Sequence, residues 1–276
     1  MTTSREAAAT MLLGALALKQ ATTALPWYDS YWMRSYLAAL TVIERLRPAM
    51  RPDFVAAFER LRTPPAFQTR KLDRVFDDAV MERIRETIRG LPESRFEGHE
   101  MQRFGRFVVH DHEVFNELHK TVVPLASELA GEPLEPSYNF LSLYRDLGTC
   151  EPHMDSPAAK WTLDLCVDQS DIWPIHLSQV VSWPDRQRFA AEDWPERIKR
   201  SPDLRFTAHT LEPGEAIWFS GSSQWHYRDA LAGRASGGFC NLLFFHFAPA
   251  GTARLVEPRQ WADLFDMPEL ASIVAP

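Results

Sequence analysis

Two side chains set the problem. In Cys-Glu-Pro-His-Met-Asp-Ser-Pro, residues 150–157, His153 and Asp155 stand two residues apart. In extended chain, residues i and i+2 point to the same side. One imidazole and one carboxylate then face a single point, as two legs of a metal site. This borderline-hard pair suits Fe(II), Mn(II) or Zn(II) better than a thiolate-seeking metal. Pro157 helps to end the strand, because it cannot donate to a ladder. A lone His-x-Asp is common, and often only a surface turn. The segment LEPGEAIWFSGSSQWH, residues 211–226, supplies a third ligand. Pro213-Gly214 makes a turn, Ala216 and Trp218 lie in an apolar strand, and a second turn at Gly221 delivers His226. Arg234-Ala235-Ser236 follows eight residues later, ahead of the apolar stretch GGFCNLLFFHF.

This ordered set resembles the Fe(II)/2-oxoglutarate-dependent dioxygenase superfamily, loosely its prolyl-hydroxylase-like branch. The family order is His-x-Asp, a distal His, and then an Arg, often as Arg-x-Ser. It maps here onto His153, Asp155, His226, Arg234 and Ser236, within roughly residues 137–247. The resemblance implies a double-stranded β-helix (jelly roll) and Fe(II) held by His153, Asp155 and His226. It implies 2-oxoglutarate as cosubstrate, anchored by Arg234 and Ser236, with ascorbate as a possible accessory. The formal charges of iron, Asp155, the cosubstrate dianion and Arg234 cancel, which avoids much of the cost of an uncompensated buried charge. The implied reaction couples O2-driven cleavage of 2-oxoglutarate to succinate and CO2 with oxidation of a substrate C–H bond. Halogenating members have a small residue in the carboxylate position. Asp155 fills that place, so hydroxylation, or a related desaturation or ring closure, is the expected outcome.

The match departs from the pattern in places. His226 and Arg234 are closer than in many members, and Arg228 is a rival anchor, only two residues past the ligand. Tyr144 lies nine residues before His153, where the branch carries a cosubstrate-contacting Tyr, but it also reads as a core aromatic. Cys150 stands where the branch often has a second Tyr. His110-Asp111-His112 reads as a solvated turn rather than a cupin-type metal site. His246 points opposite to Phe245 and Phe247, either into a pocket or as a satisfied core His. His176 and His209 have no partner in view. Trp161, Asp164 and Trp225 are near the ligands in sequence, with Trp225 facing the wall opposite to His226.

Elements must position these groups. The chain has 276 residues, 45% of them hydrophobic, enough for a large core. The first third reads helical. Tyr28, Trp32, Tyr36, Leu40 and Ile43 share one helix face. Asp53 is placed to cap a second helix carrying Phe54, Val55 and Phe58. A third helix spans about 76–89, with Gly90 at its end. Residues 103–110 and 137–145 read as strands around a helix over 113–129. From Lys160, short apolar strands crowd between Pro/Gly turns, which indicates a sandwich or barrel. The expected class is mainly β with N-terminal helices. The division is a helical support over 1–98 and a β-helix oxygenase core over 99–276, with an insertion at about 182–203 that forms a short helix or lid. The tail, residues 261–274, reads as a terminal helix.

Composition narrows the partners. A net charge of -7 argues against nucleic acid and anionic membranes. The last core strand also lacks the arginines that nucleic-acid demethylases carry. Three scattered cysteines make no disulfide framework, so a cytoplasmic location is expected. The apolar run 11–18 is too short to span a bilayer and reads as an ordinary helix rather than a signal peptide. The expected substrate is a small molecule such as an amino acid or natural-product intermediate. A protein or peptide side chain is the alternative. A non-catalytic jelly-roll binding protein and a zinc hydrolase using the same triad come from other classes. RIKR, residues 197–200, reads as a solvated charge run. The sequence does not give the oligomeric state.

Overall fold

Alternation and helical stripes sort the chain into two kinds of layer. The structure is a computed structural model that describes residues 4–24, 31–183, 193–231 and 237–273. The N-terminal third holds α1 (Ser4–Ala24), α2 (Trp32–Leu46), α3 (Arg51–Ala57), β1 (Arg70–Leu72) and α4 (Asp78–Arg89). The apolar run 11–18 lies within α1, as an ordinary helix. The expected stripe on α2 buries Trp32, Tyr36 and Ile43; Tyr28 falls outside the described residues. Asp53 does not cap α3. The helix begins at Arg51, and Pro52 in its first turn supplies no N–H that needs a cap. Asp77 does cap α4, its carboxylate accepting from Val80 N at 2.8 Å.

The chain then forms α5 (Met101–Phe104), β2 (Arg106–His110), α6 (Glu113–Thr121), α7 (Val123–Ala130) and β3 (Leu134–Tyr144). Gly105, at φ +65°, turns α5 into β2. The single helix expected over 113–129 is two, split at Val122 with Pro124 opening the second. Beyond them come β4 (Cys150–His153), β5 (Trp161–Gln169), β6 (Ile175–Val180), α8 (Trp194–Lys199), β7 (Thr207–His209), β8 (Ala216–Phe219), β9 (Gln224–Arg228), β10 (Cys240–Pro249) and α9 (Trp261–Leu264). The tail is not one helix. After α9, Asp266 takes φ +50° and a 3₁₀ segment runs over Pro268–Ile273. α8 is the short helix expected in the insertion; residues 184–192 lie outside the described residues.

All strand pairings are antiparallel, in two sheets. The larger has the order β1-β8-β5-β10-β3-β2 and the smaller β4-β9-β6-β7. From β3 to β10 the chain crosses repeatedly from one sheet to the other. The core is therefore a double-stranded β-helix, with β1 and β2 added at the edges of the larger sheet.

Period-2 alternation decides which side chains reach the interior. On β5 and β10, Leu163, Leu165, Val167, Leu243, Phe245 and Phe247 pack outward with residues of α4, α6 and α7. Leu242 and Cys166 pack inward with Ile175 and Leu177 of the smaller sheet. Both faces of β5 are covered, which explains its near-continuous burial. A separate aromatic cluster ties the N-terminal helices to the smaller sheet and the tail. Trp32 lies 5.4 Å from Tyr36 in a stack and meets Trp183 and Trp261 edge-on. Trp225 and Met154 join that cluster from β9 and the turn after β4.

Candidate active site

β4 and β9 are neighbours, and His153 and His226 are directly opposite each other in their register. Their ring centroids are 4.2 Å apart. Asp155 lies just past the end of β4, its N–H donating to Gly221 O at 2.9 Å. The carboxylate is 3.5 Å from His153 Nε2 and 3.7 Å from His226 Nε2. Ligand atoms of all three residues lie within 4.8 Å of one another. Both rings are oriented from behind. His153 Nδ1 is 2.8 Å from Glu151 O and His226 Nδ1 is 3.0 Å from Gln224 O. A carbonyl accepts only from an N–H, so the proton sits on Nδ1 and the Nε2 lone pairs face Asp155. Burial alone would raise the Asp155 carboxyl; when His226 and His153 are protonated on Nε2 as well, their charge holds it well below the usual carboxylate range.

Gly221 makes room for this arrangement. A Cβ there would lie 2.4 Å from Asp155 Oδ2 and 2.7 Å from Ala159 O. Two imidazoles and one carboxylate, with open space in front, fit a divalent transition metal with exchangeable positions. Neighbouring ligands about 2.1 Å from one ion lie roughly 3 Å apart when at right angles. The two carboxylate–imidazole distances need to shorten by only about half an ångström to reach that.

A cavity of about 190 Å³ opens in front of the triad, between the sheets. Arg228, on β9, lines it and is 4% exposed. Its Nη2 donates to Asp164 Oδ2 at 2.8 Å and its Nη1 to the Trp173 carbonyl. Burial raises the Asp164 carboxyl, a shift that Arg228 opposes. His246 also lines the cavity, its Nδ1 3.0 Å from Thr162 Oγ1. Burial pushes its pKa down to about 3, so it is neutral at pH 7. Its Nε2 has no hydrogen-bond partner among the described residues.

Arg106, on β2, enters from the edge of the larger sheet. Its Nε donates to Glu100 at 2.5 Å, and its Nη1 to Tyr144 Oη at 2.7 Å and Ser142 Oγ at 3.3 Å. Burial alone would lower the Arg106 pKa, but Tyr144 and Glu100 raise it, so the group stays cationic. Tyr138, Phe140 and Phe244, each half-buried, give the cavity an apolar side.

The structure brings together His153, Asp155, His226 and Tyr144. Arg234 and Ser236 lie outside the described residues. The rival Arg228 faces the cavity rather than solvent. Asp164 stands behind it, and Trp225 faces away from the ligands as expected. Trp161 does not shape the pocket; it packs on the outer face, stacked 5.7 Å from Trp218. His246 faces the pocket. His176 is not unpartnered, since it stacks on Tyr227 at 4.5 Å. His110 is not in a solvated turn; it ends β2, lines the cavity and pairs with Glu97 at 3.0 Å, while Asp111 after it is exposed. Sequence reasoning missed Arg106. Its signal was present in Arg-Phe-Val-Val-His, where alternation puts Arg106, Val108 and His110 on one face.

No protein-family model matches the chain, and no curated protein matches it. Solved structures do. One is the non-heme alpha ketoglutarate dependent epimerase SnoN from nogalamycin biosynthesis, at 17% identity and TM-score 0.49, covering 76% of this chain and 90% of that one. Another is HygX from Streptomyces hygroscopicus with nickel and 2-oxoglutarate bound, at 11% and 0.46, covering 71% and 86%. A third is a Pseudomonas putida prolyl-4-hydroxylase, at 12% and 0.45, covering 67% and 95%. The likeness is one of fold. Within this chain, the β-helix and the converged triad are the two structural parts of the resemblance read from the sequence.

Proposed function

We propose that the chain is an Fe(II)- and 2-oxoglutarate-dependent oxygenase. It oxidises a C–H bond of a small-molecule substrate, chiefly by hydroxylation, and releases succinate and CO2. The substrate class is an amino acid or natural-product intermediate. The observation that carries this reading is the convergence of His153 Nε2, His226 Nε2 and the Asp155 carboxylate at the head of a cavity between the sheets. Bound iron would supply the activation of O2 and the oxidising power.

The chain's own residues do the rest. Glu151 O and Gln224 O hold the two imidazoles in the ligating tautomer. Gly221 positions Asp155 through its carbonyl. The two sheets exclude water. Tyr138, Phe140 and Phe244 offer apolar surface to a compact organic substrate, and Tyr144, which also lines the cavity, is assigned a cosubstrate contact in this reading. The motif assigns the remote carboxylate of 2-oxoglutarate to Arg234 and Ser236. Residues 1–98 are the supporting region in this reading and 99–276 the catalytic core.

The test is succinate release from 2-oxoglutarate with Fe(II), ascorbate and O2, across panels of free amino acids, small metabolites and peptides. Succinate that rises with a small molecule supports the proposal. Stimulation by peptides alone moves the substrate to a protein side chain. Zinc-dependent hydrolysis indifferent to O2, or metal binding with no turnover, would overturn it.

A further inference from the structure

The described part of the cavity holds two buried arginines, and they are not equivalent. Arg228 is already answered: Asp164, 0% exposed, takes one arm and the Trp173 carbonyl the other. A ligand carboxylate placed there would meet the Asp164 carboxylate as a like charge. Arg106 is answered on one edge only. Glu100 takes Nε and lines the cavity as a like charge too, but its side chain is 24% exposed and so screened by solvent, unlike the fully buried Asp164. The opposite edge meets two neutral hydroxyls, Tyr144 Oη and Ser142 Oγ, both accepting from Nη1.

Hydroxyls that accept still have protons to place. If the Ser142 proton turns to Tyr144, the Tyr144 proton finds no acceptor among the described residues, and neither does Arg106 Nη2. Arg106 and Tyr144 both line the cavity, so these donors border a space where a bound acceptor would satisfy them. A carboxylate answers them, because it offers only acceptors and its bonds to a guanidinium are charge-assisted. The seat opens into the same cavity as the triad. Cys150, whose Sγ is 3.7 Å from His153 Nδ1, also lines it.

Building on the oxygenase reading, we infer that Arg106, with the Tyr144 and Ser142 hydroxyls, holds the remote carboxylate of the 2-oxo diacid, in the role the motif gives to Arg234. β2 is an edge strand added to the β-helix, so this anchor comes from outside the eight strands that carry the motif.

The test is calorimetric binding to the Mn(II)-loaded full chain, with two probes. 2-Oxoglutarate carries the remote carboxylate; 2-oxopentanoate has the same chelating end and a methyl group in its place. For Arg106→Gln, the 2-oxoglutarate Kd rises about tenfold or more, the loss of one charge-assisted pair. The 2-oxopentanoate Kd stays within about twofold. Arg106→Lys recovers part of the loss, and Tyr144→Phe weakens 2-oxoglutarate alone, by about threefold. Melting temperature and Mn(II) affinity report folding. If Arg106→Gln does not fold, Arg106→Lys and Tyr144→Phe decide by the same comparison of probes. The inference is overturned if 2-oxoglutarate affinity is unchanged, if both probes weaken alike, or if the loss is confined to Arg234→Gln. If the unaltered protein binds neither keto acid, the oxygenase reading itself fails, which is a separate result.

Discussion

The Asp155 carboxylate keeps its place beside His153 and His226 only because Gly221 has no side chain. The space a Cβ would need is taken by the Asp155 carboxylate and by the Ala159 carbonyl, and a backbone carbonyl cannot swing away. Gly221→Ala therefore displaces Asp155 and costs roughly 1–3 kcal/mol through overpacking. Urea unfolding measures the stability loss. Mn(II) addition should no longer raise the melting temperature, since a site that does not bind gives no linkage. The triad itself was legible because its signal is local: His153 and Asp155 two residues apart where β4 ends, and His226 delivered by a Gly turn. Arg106 was not, because its chemistry depends on which strand lies beside β2. That pairing, Arg106 opposite Tyr144, is set by tertiary structure.

Element by element, the strands read well where both faces are buried: β10 is apolar almost throughout, and β5 carries Trp161, Leu163, Leu165, Cys166 and Val167 between its few polar residues. β1 escaped notice, since three polar-flanked residues carry no periodic signal and form a strand only by pairing with β8. The break between α6 and α7 was hidden by a stripe that continues across it, from Leu118 and Val122 to Ala126. The tail failed as a single helix because its apolar residues meet the aromatic cluster in two short pieces. That cluster joins α2 and α3 to α9 through side chains, with Trp32 and Trp261 both donating to the Leu255 carbonyl. Trp261, 0% exposed, touches Trp32 at 5.5 Å, Phe54 at 5.9 Å and Phe58 at 5.2 Å. Trp261→Ala is expected to cost about 3–5 kcal/mol, read as a lowered urea midpoint. Triad geometry on the β4–β9 pair should survive, so Mn(II) still raises the melting temperature.

Across the whole molecule, two buried histidines make stability pH-dependent. Burial lowers His119 to about 4 and His246 to about 3, from an ordinary value of 6.5. Asn139 Nδ2 donates to His119 Nδ1, and His119 Nε2 donates to the His246 carbonyl, which fixes the neutral form. Above pH 6.5 neither the folded nor the unfolded chain protonates these groups. As pH falls below 6.5, the unfolded chain takes up protons that the folded chain refuses, so stability drops until about pH 3–4. At pH 5 each contributes a loss of roughly 2 kcal/mol. Urea titrations at pH 7.5 and 5 should show it, and His119→Gln should flatten the slope. Among the described residues, no helix is long and apolar enough to cross a membrane.

The central claim is that His153, Asp155 and His226 hold iron with an open face for a 2-oxo acid. Anaerobic titration of the Fe(II)-loaded protein with 2-oxoglutarate tests it most directly. A weak visible charge-transfer band should grow to saturation, and should be lost in Asp155→Ala. A flat spectrum in the unaltered protein, or an undiminished band in Asp155→Ala, would contradict the account.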